Sequence, residues 1–304
     1  MTAVPSYTKI LTLGAAGTER ALVGDVLVQE KCDGSQFSFG IDERGEVSCR
    51  SHHQQLVMDG PCGDFTPAVE QVRRMTPRLK AMDKPIWFYC EYLRKPKQNT
   101  LCYERTPTNH LVLFDCVYES AGTVTWADYD SLDASAKHLG IDVIPLLHQG
   151  AITRDELTAL LERDSYLGGQ KVEGVVVKNY RELIALGGRT FPLFAKLVSG
   201  RFKERHDVEW KQQTSKGKLE LYMDSFRSVP RWQKAVQHLS EAGQLLRDPK
   251  DIGALMRAVH EDLDTEETET IKNELYALYI KDIKRVATAG LPEWYKTQLV
   301  EGLE

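Results

Sequence analysis

Apolar and polar positions alternate along Val26 to Val47, and two turn dipeptides, Asp33-Gly34 and Arg44-Gly45, cut the alternation into short runs. The pattern predicts a strand VLVQEK, a turn, and a strand SQFSFGI with alternating Phe37 and Phe39, followed by a second turn. This is antiparallel sheet chemistry. Between Ala68 and Met82 the apolar positions recur at near-helical spacing, with Pro77 expected to interrupt or kink the helix. Two runs rich in aromatic and β-branched residues, IWFYCEYL from Ile86 and HLVLFDCVY from His110, read as buried strands. A polar loop with Pro96, Asn99 and Pro107 separates them. Helical patterns follow at Trp126 to His138 and Thr153 to Asp164, the second opened by a capping box from Thr153 to Glu156. Strands return at Val172 to Lys178 and Leu193 to Val198.

After about Glu204 the β-branched runs stop. From Glu266 to Ala287 the apolar residues Ile271, Leu275, Leu278, Ile280 and Ile283 lie at helical spacing. The change predicts an α+β chain of two domains: a sheet-containing domain over residues 1–204 and a smaller all-helical domain over 205–304. A length of 304 residues accommodates both. No internal repeat, low-complexity stretch or heptad array is present.

Composition adds exclusions. With 42% hydrophobic and 27% charged residues the chain is ordinary for a globular protein. No run reaches the roughly 18 apolar residues of a membrane helix, and Met1 to Ser6 lacks the start of a signal peptide; a cytoplasmic protein is expected, with no membrane and no stable protein partner. The six cysteines, Cys32, Cys49, Cys62, Cys90, Cys102 and Cys116, form no C-x-x-C pair and are expected as buried reduced thiols. A net charge of −5 rules out coating nucleic acid by bulk attraction, so any such surface is a local patch. Candidates are Arg73, Arg74, Arg78, Lys80 and Lys84; Arg94, Lys95 and Lys97; and Lys196, Arg201, Lys203 and Arg205. Taken alone, the first group reads better as a solvated helix face.

Candidate chemistry centres on Glu30-Lys31-Cys32-Asp33-Gly34, where a lysine at a strand end precedes a turn glycine. Such a lysine projects an amine into a cleft while the backbone stays close to what binds there. Downstream come Arg50, Glu91 in FYCEYL, Phe114-Asp115 in LVLFDCV, Glu173 to Lys178 as EGVVVK, and Lys196 in FAKL. Charges inside apolar strands are costly unless they are paired or bind a ligand, and several in order suggest one site. Each taken alone has a plainer explanation: Phe114 a core aromatic, Glu91 or Glu173 a satisfied half-buried carboxylate, Lys178 a strand-end lysine reaching water. Cys49, His52 and His53 read as ordinary polar-loop neighbours rather than metal ligands.

The ordered set K-x-D-G, downstream Arg, F-x-x-E, Phe-Asp, E-G-x-V-x-K and a final Lys strand resembles the covalent nucleotidyltransferase superfamily of polynucleotide ligases and capping enzymes. The resemblance covers about Val26 to Glu204 and is most similar to the RNA ligase family, including the segment EYLRKPKQNTLCYERTPTNHLVLFD with Lys97 and Arg105. It implies an antiparallel-sheet, ATP-grasp-like ligase domain and an ATP-dependent RNA ligase. Such an enzyme joins 5′-phosphate and 3′-hydroxyl RNA ends, a nicked duplex included, through lysyl-AMP and an adenylylated 5′ end. It implies ATP as adenylate donor with Mg2+ or Mn2+. By resemblance Lys31 attacks the α-phosphate, while Lys178 and Lys196 neutralise the phosphate and lower the Lys31 pKa. Glu91 accepts from a ribose hydroxyl, Phe114 stacks on adenine, and Glu173 helps place the metal through water. Arg50 contacts phosphate, and Glu30 lies at the adenine edge.

Two departures bear on substrate. RNA ligases commonly end in Lys-x-Lys, whereas FAKLVS supplies only Lys196. Gln36 stands where DNA ligases typically carry Arg and nick-sealing RNA ligases often carry Asn, and an amide there favours the RNA branch. Only Met1 to Glu30 precede Lys31, which sets the resemblance against NAD as donor. The helical continuation, with Pro292-Glu293-Trp294-Tyr295 near its end, replaces the β-barrel usual in DNA ligases and capping enzymes. A DNA ligase or guanylyltransferase, and a non-catalytic nucleic-acid-binding relative, are the alternatives.

Overall fold

The computed structural model describes residues 3–52, 54–82, 84–99, 101–120, 123–186, 188–199 and 215–301. In chain order the strands and helices of its sheet-bearing part are β1 (Leu11–Thr12), β2 (Val26–Lys31), β3 (Ser35–Ile41), β4 (Val47–Ser51), β5 (Gln55–Leu56), α1 (Thr66–Lys80), β6 (Ile86–Tyr92), β7 (Leu111–Ser120), β8 (Thr123–Trp126), α2 (Tyr129–Leu139), β9 (Asp142–Val143), β10 (Leu146–Gly150), α3 (Arg154–Ala159), β11 (Gly174–Leu186) and β12 (Arg189–Val198). Helices α4 (Ser215–Asp224), α5 (Val229–Glu241), α6 (Ile252–Asp262), α7 (Thr268–Ala287) and α8 (Leu291–Glu301) follow.

The strands form two sheets. One has the order β1-β12-β11-β2-β10; the other runs β5-β4-β3-β6-β7-β8, with β9 beside β7. Most pairings are antiparallel, as the hairpin pattern predicts. Two-residue strands add parallel pairings, β1 on β12 and β9 on β7, and are too short for periodicity to reveal.

Each sheet buries one face against helices. Phe37, Phe39, Cys90 and Leu113 of the second sheet pack with Val69, Val72 and Leu79 of α1 and Leu132 and Leu139 of α2. Val28, Val175, Val177 and Ala195 of the first pack with Ile152 and Leu157. Helix α1 continues past Pro77 without the expected interruption, because Pro77 lies on the exposed side while Val72, Met75 and Leu79 anchor the opposite stripe. Near the proline the Thr76 hydroxyl also donates back to the Val72 carbonyl. The capping box at Thr153 and Glu156 is formed as predicted.

The chain parts into two compact units, Met1–Val259 and His260–Glu304. The boundary expected at 204/205, with Arg201, Lys203 and Arg205, lies outside the described residues. Helices α4 and α5 belong with the sheets, not with the terminal helices α7 and α8. All six cysteines are free thiols; Cys32, Cys49, Cys90 and Cys116 are buried, whereas Cys102 is exposed. No described helix is long and apolar enough to cross a membrane.

Candidate active site

Register decides which side chains share the space between the sheets. In an antiparallel ladder, directly paired residues point to the same face and their neighbours to the other. On the first sheet Lys31 pairs with Gly174, Val176 with Lys196, and Lys178 with Phe194, so Lys31, Lys178 and Lys196 share a face. On the second, Gln36 pairs with Glu91 and Ser38 with both Arg50 and Tyr89, which puts these on one face as well. The opposite faces carry the two helix-covered cores. The polar faces therefore look at each other across a cleft.

At one end of it, Lys31 Nζ donates to both oxygens of Glu173, at 2.6 and 2.7 Å. Burial by itself opposes charge on Lys31, but the Glu173 carboxylate outweighs it. With added pull from Glu91 and Asp33, the ammonium is held above the ordinary lysine range. The lowering expected from Lys178 and Lys196 is thus reversed, because the nearest charges are carboxylates. Burial in turn pushes Glu173 up to about 7 against the pull of Lys31, and Glu91 up to about 8. Lys196 is close enough to act on Glu173.

The turn after Lys31 is tightly held. Asp33 accepts from Leu101 N at 2.7 Å, its own N–H donates to the Tyr103 hydroxyl at 2.8 Å, and Gly34 N donates to Glu91 at 3.1 Å. A side chain at Gly34 has no room: a Cβ there would sit 2.7 Å from Glu91 Cγ and 2.8 Å from the Tyr92 carbonyl oxygen. The glycine is required by close approach of β6 rather than by an unusual φ.

Lys178 occupies a second polar cluster, about 13 Å further along the sheet by strand rise. Its Nζ donates to Asp115 at 2.8 Å and to the Phe114 carbonyl, and lies 5.5 and 5.6 Å from the ring centres of Phe114 and Phe194. Both members are fully buried, and burial moves each toward its neutral form, Lys178 downward and Asp115 upward. Tyr7 and Tyr180 also donate to Asp115, at 2.8 and 3.3 Å. Lys178 therefore does not adjoin Lys31 but ties the two sheets together. Phe114 packs edge-on against Tyr7, with ring centres 5.0 Å apart.

Arg50 and Ser38 carry the clearest sign of a missing partner: Arg50 Nε and Ser38 Oγ are buried and make no hydrogen bond within the described residues. Buried polar atoms are normally satisfied, so these fit a polar ligand such as a nucleotide. Gln36 Oε1 accepts from His52 Nδ1 at 2.8 Å; His53 is outside the described residues. Glu30 is a correction. Next to Lys31 on a strand, it points to the opposite face, where its carboxylate accepts from Ser165 Oγ and from Tyr166 N at 3.0 Å, away from any adenine in the cleft. No group of three metal-ligating side chains exists among the described residues. A divalent ion at Glu173 would rely on water and phosphate oxygens for its other ligands, which suits magnesium-like ions.

Among the basic candidates, Arg73 and Arg78 donate to the carbonyls of Met58 and Leu139, and Arg105 pairs with Asp142 at 3.1 Å, so these serve the fold. Lys95 and Lys97 are exposed. Sequence reasoning missed Asp115 as a partner for Lys178, although a charge in LVLFDCV was its signal. It also missed Tyr7, Asn99 and Tyr103, which nothing local marks.

The architecture is that of an α+β protein whose two sheets turn charged faces toward each other. A sequence model of the RNA ligase family matches residues 24–198, more than half of the 304-residue chain, and the chain belongs to that family. No curated protein matches. Among solved structures, the Naegleria gruberi RNA ligase with PPi is similar at 16% identity and a TM-score of 0.48, over 66% of this chain and 58% of that one. A lysine-to-methionine variant of that ligase with AMP and Mn gives 14% and 0.46 over 66% and 58%. A lysine-to-alanine variant with ATP and Mn gives 14% and 0.47 over 64% and 57%. The chain thus spans less than two thirds of the length of these structures.

Proposed function

We propose that this chain is an ATP-dependent RNA ligase that captures AMP on Lys31, passes it to an RNA 5′-phosphate, and joins that end to a 3′-hydroxyl. The observation that carries the reading is the placement of Lys31 at a strand end, beside a glycine turn and against Glu173, within the family-matched stretch. ATP as donor and a divalent metal accord with the ATP, AMP and Mn named for the Naegleria structures. The ATP-grasp-like layout belongs to the same proposal.

In the first step the Lys31 amine bonds to the α-phosphorus and the bond to the β-phosphate oxygen breaks, releasing pyrophosphate. The amine must first lose its proton to solvent, against the pull of the Glu173 carboxylate 2.6 Å away. Glu173 would hold Mg2+ or Mn2+ through water, and the bound ion would supply positive charge against the phosphates. Lys196 adds positive charge on the same face. Arg50 offers its unpartnered Nε to a phosphate oxygen, Glu91 its carboxyl group to the ribose, and Phe114 a ring to stack on the base. Lys178 acts from the Asp115 cluster, fixing the far end of the cleft. Gln36 supports RNA over DNA. Incubation with α-labelled ATP or GTP, followed by matched RNA and DNA nicks, tests the assignment. Label from ATP and sealing of RNA support it; label from GTP or preference for DNA redirects it to a guanylyltransferase or a DNA ligase.

A further inference from the structure

The two polar acceptors of the turn after Lys31 are gripped by side-chain amides from distant parts of the chain. From the loop between β6 and β7, Asn99 Nδ2 donates to the Gly34 carbonyl at 2.8 Å and Gln98 Nε2 donates to Ser35 Oγ at 2.9 Å. From α5, Gln237 Nε2 reaches the same two acceptors, at 3.1 and 3.2 Å, across 203 and 202 residues of sequence. The Gln237 amide has two N–H groups: one donates to Glu241 at 2.7 Å, one helical turn on, and the other is shared between Gly34 and Ser35, while Ser240 donates to Asp64 at 2.9 Å. Glu241 is 9% exposed, and its charge reaches Glu91 in the cleft.

A carbonyl oxygen has two lone pairs, and at Gly34 both are taken by donors from different elements. The peptide plane following Asp33-Gly34 is therefore fixed in orientation by α5 as well as by the neighbouring loop. Helix α5 also buries the apolar Ala235 and Leu239. We propose that α5 is part of the catalytic unit, with Gln237 a positioning residue that fixes the Gly34–Ser35 turn and so aims Lys31. The inference rests on Lys31 being the nucleophile. It makes the helical segment up to α5 a participant in the covalent step, not only in handling RNA.

Misplacement of a reacting group by about 1 Å costs on the order of 100-fold in rate. With Asn99 and Gln98 still in place, Gln237→Ala is expected to slow single-turnover adenylylation by roughly tenfold at unchanged half-saturating ATP. It should also speed amide exchange at Asp33 to Ser35. Gln237→Glu keeps the shape but faces acceptors with an acceptor, and is expected to slow labelling further. Ser228→Ala removes the N-cap of α5 without touching the turn, and is expected to change neither readout at matched thermal stability. Wild-type exchange and labelling in Gln237→Ala, or equal losses in Ser228→Ala, overturn the inference. Faster exchange in Gln237→Ala while wild-type protein takes no label from ATP leaves the contact standing. It refutes the nucleophile assignment, and the positioning role with it.

Discussion

Glu173→Gln removes one charge and almost no volume from the partner of Lys31. In the structure that carboxylate makes two contacts to Nζ, at 2.6 and 2.7 Å, with 28% of the Lys31 side chain and 12% of the Glu173 side chain exposed. An opposite charge this close ordinarily moves a pKa by about 1–3 units. The sign is set by what remains: burial opposes the ammonium, so once Glu173 is neutral the Lys31 pKa falls. The rate of adenylylation depends on the unprotonated amine. Its acid limb should therefore move to lower pH by about 1–3 units in the variant, even if loss of the metal ligand lowers the rate at every pH. The assay is single-turnover label transfer from saturating ATP across a pH series, reading the position of the limb separately from its height. A limb that stays in place or moves upward refutes the view that Glu173 holds the Lys31 proton.

Three further outcomes follow from the same geometry. Gly34→Ala drives a Cβ to 2.8 Å from the Tyr92 carbonyl oxygen; an overpacking cost of about 1–3 kcal/mol in denaturant melts should accompany loss of labelling. Asp115→Ala leaves Lys178 buried without its charge partner and should destabilise the protein by about 3–5 kcal/mol, whereas Tyr7→Phe, which removes one of several donors to Asp115, should cost far less. Glu91 keeps its proton in the fold up to about 8 but loses it near 4.5 when unfolded, so the unfolded chain binds fewer protons between those values. Its contribution to stability should accordingly fall as pH rises through that window, by at most about 1.4 kcal/mol per unit, and Glu91→Gln should remove that share in melts, most clearly above about pH 7 where Glu173 no longer contributes.

Much of the cleft was legible because charges stood in strands that otherwise read as core. Period two then puts Lys178 and Lys196 on one face of the first sheet, and Gln36, Arg50 and Glu91 on one face of the second. The same period turns Glu30 away from Lys31, a consequence of adjacency that motif resemblance hides. The sign of the Lys31 shift was not legible, since it depends on Glu173, which is 142 residues away in sequence, meeting the amine at hydrogen-bond distance. Nor was the separation of Lys178 from Lys31: shared face does not mean shared contact when three residues of strand lie between Gly174, the partner of Lys31, and Lys178. Helix α1 defeats the proline rule because its buried stripe outweighs one lost hydrogen bond on the solvent side. Gln237 carries no local signal at all, being one amide on an amphipathic helix.

The most direct test of the account is to locate the nucleotide. Protein incubated with ATP and Mg2+ is digested and its peptides are sequenced by mass. An acid-labile AMP increment confined to the peptide holding Lys31, and lost in Lys31→Ala, is the predicted result; AMP on another residue, or label persisting in that variant, contradicts it.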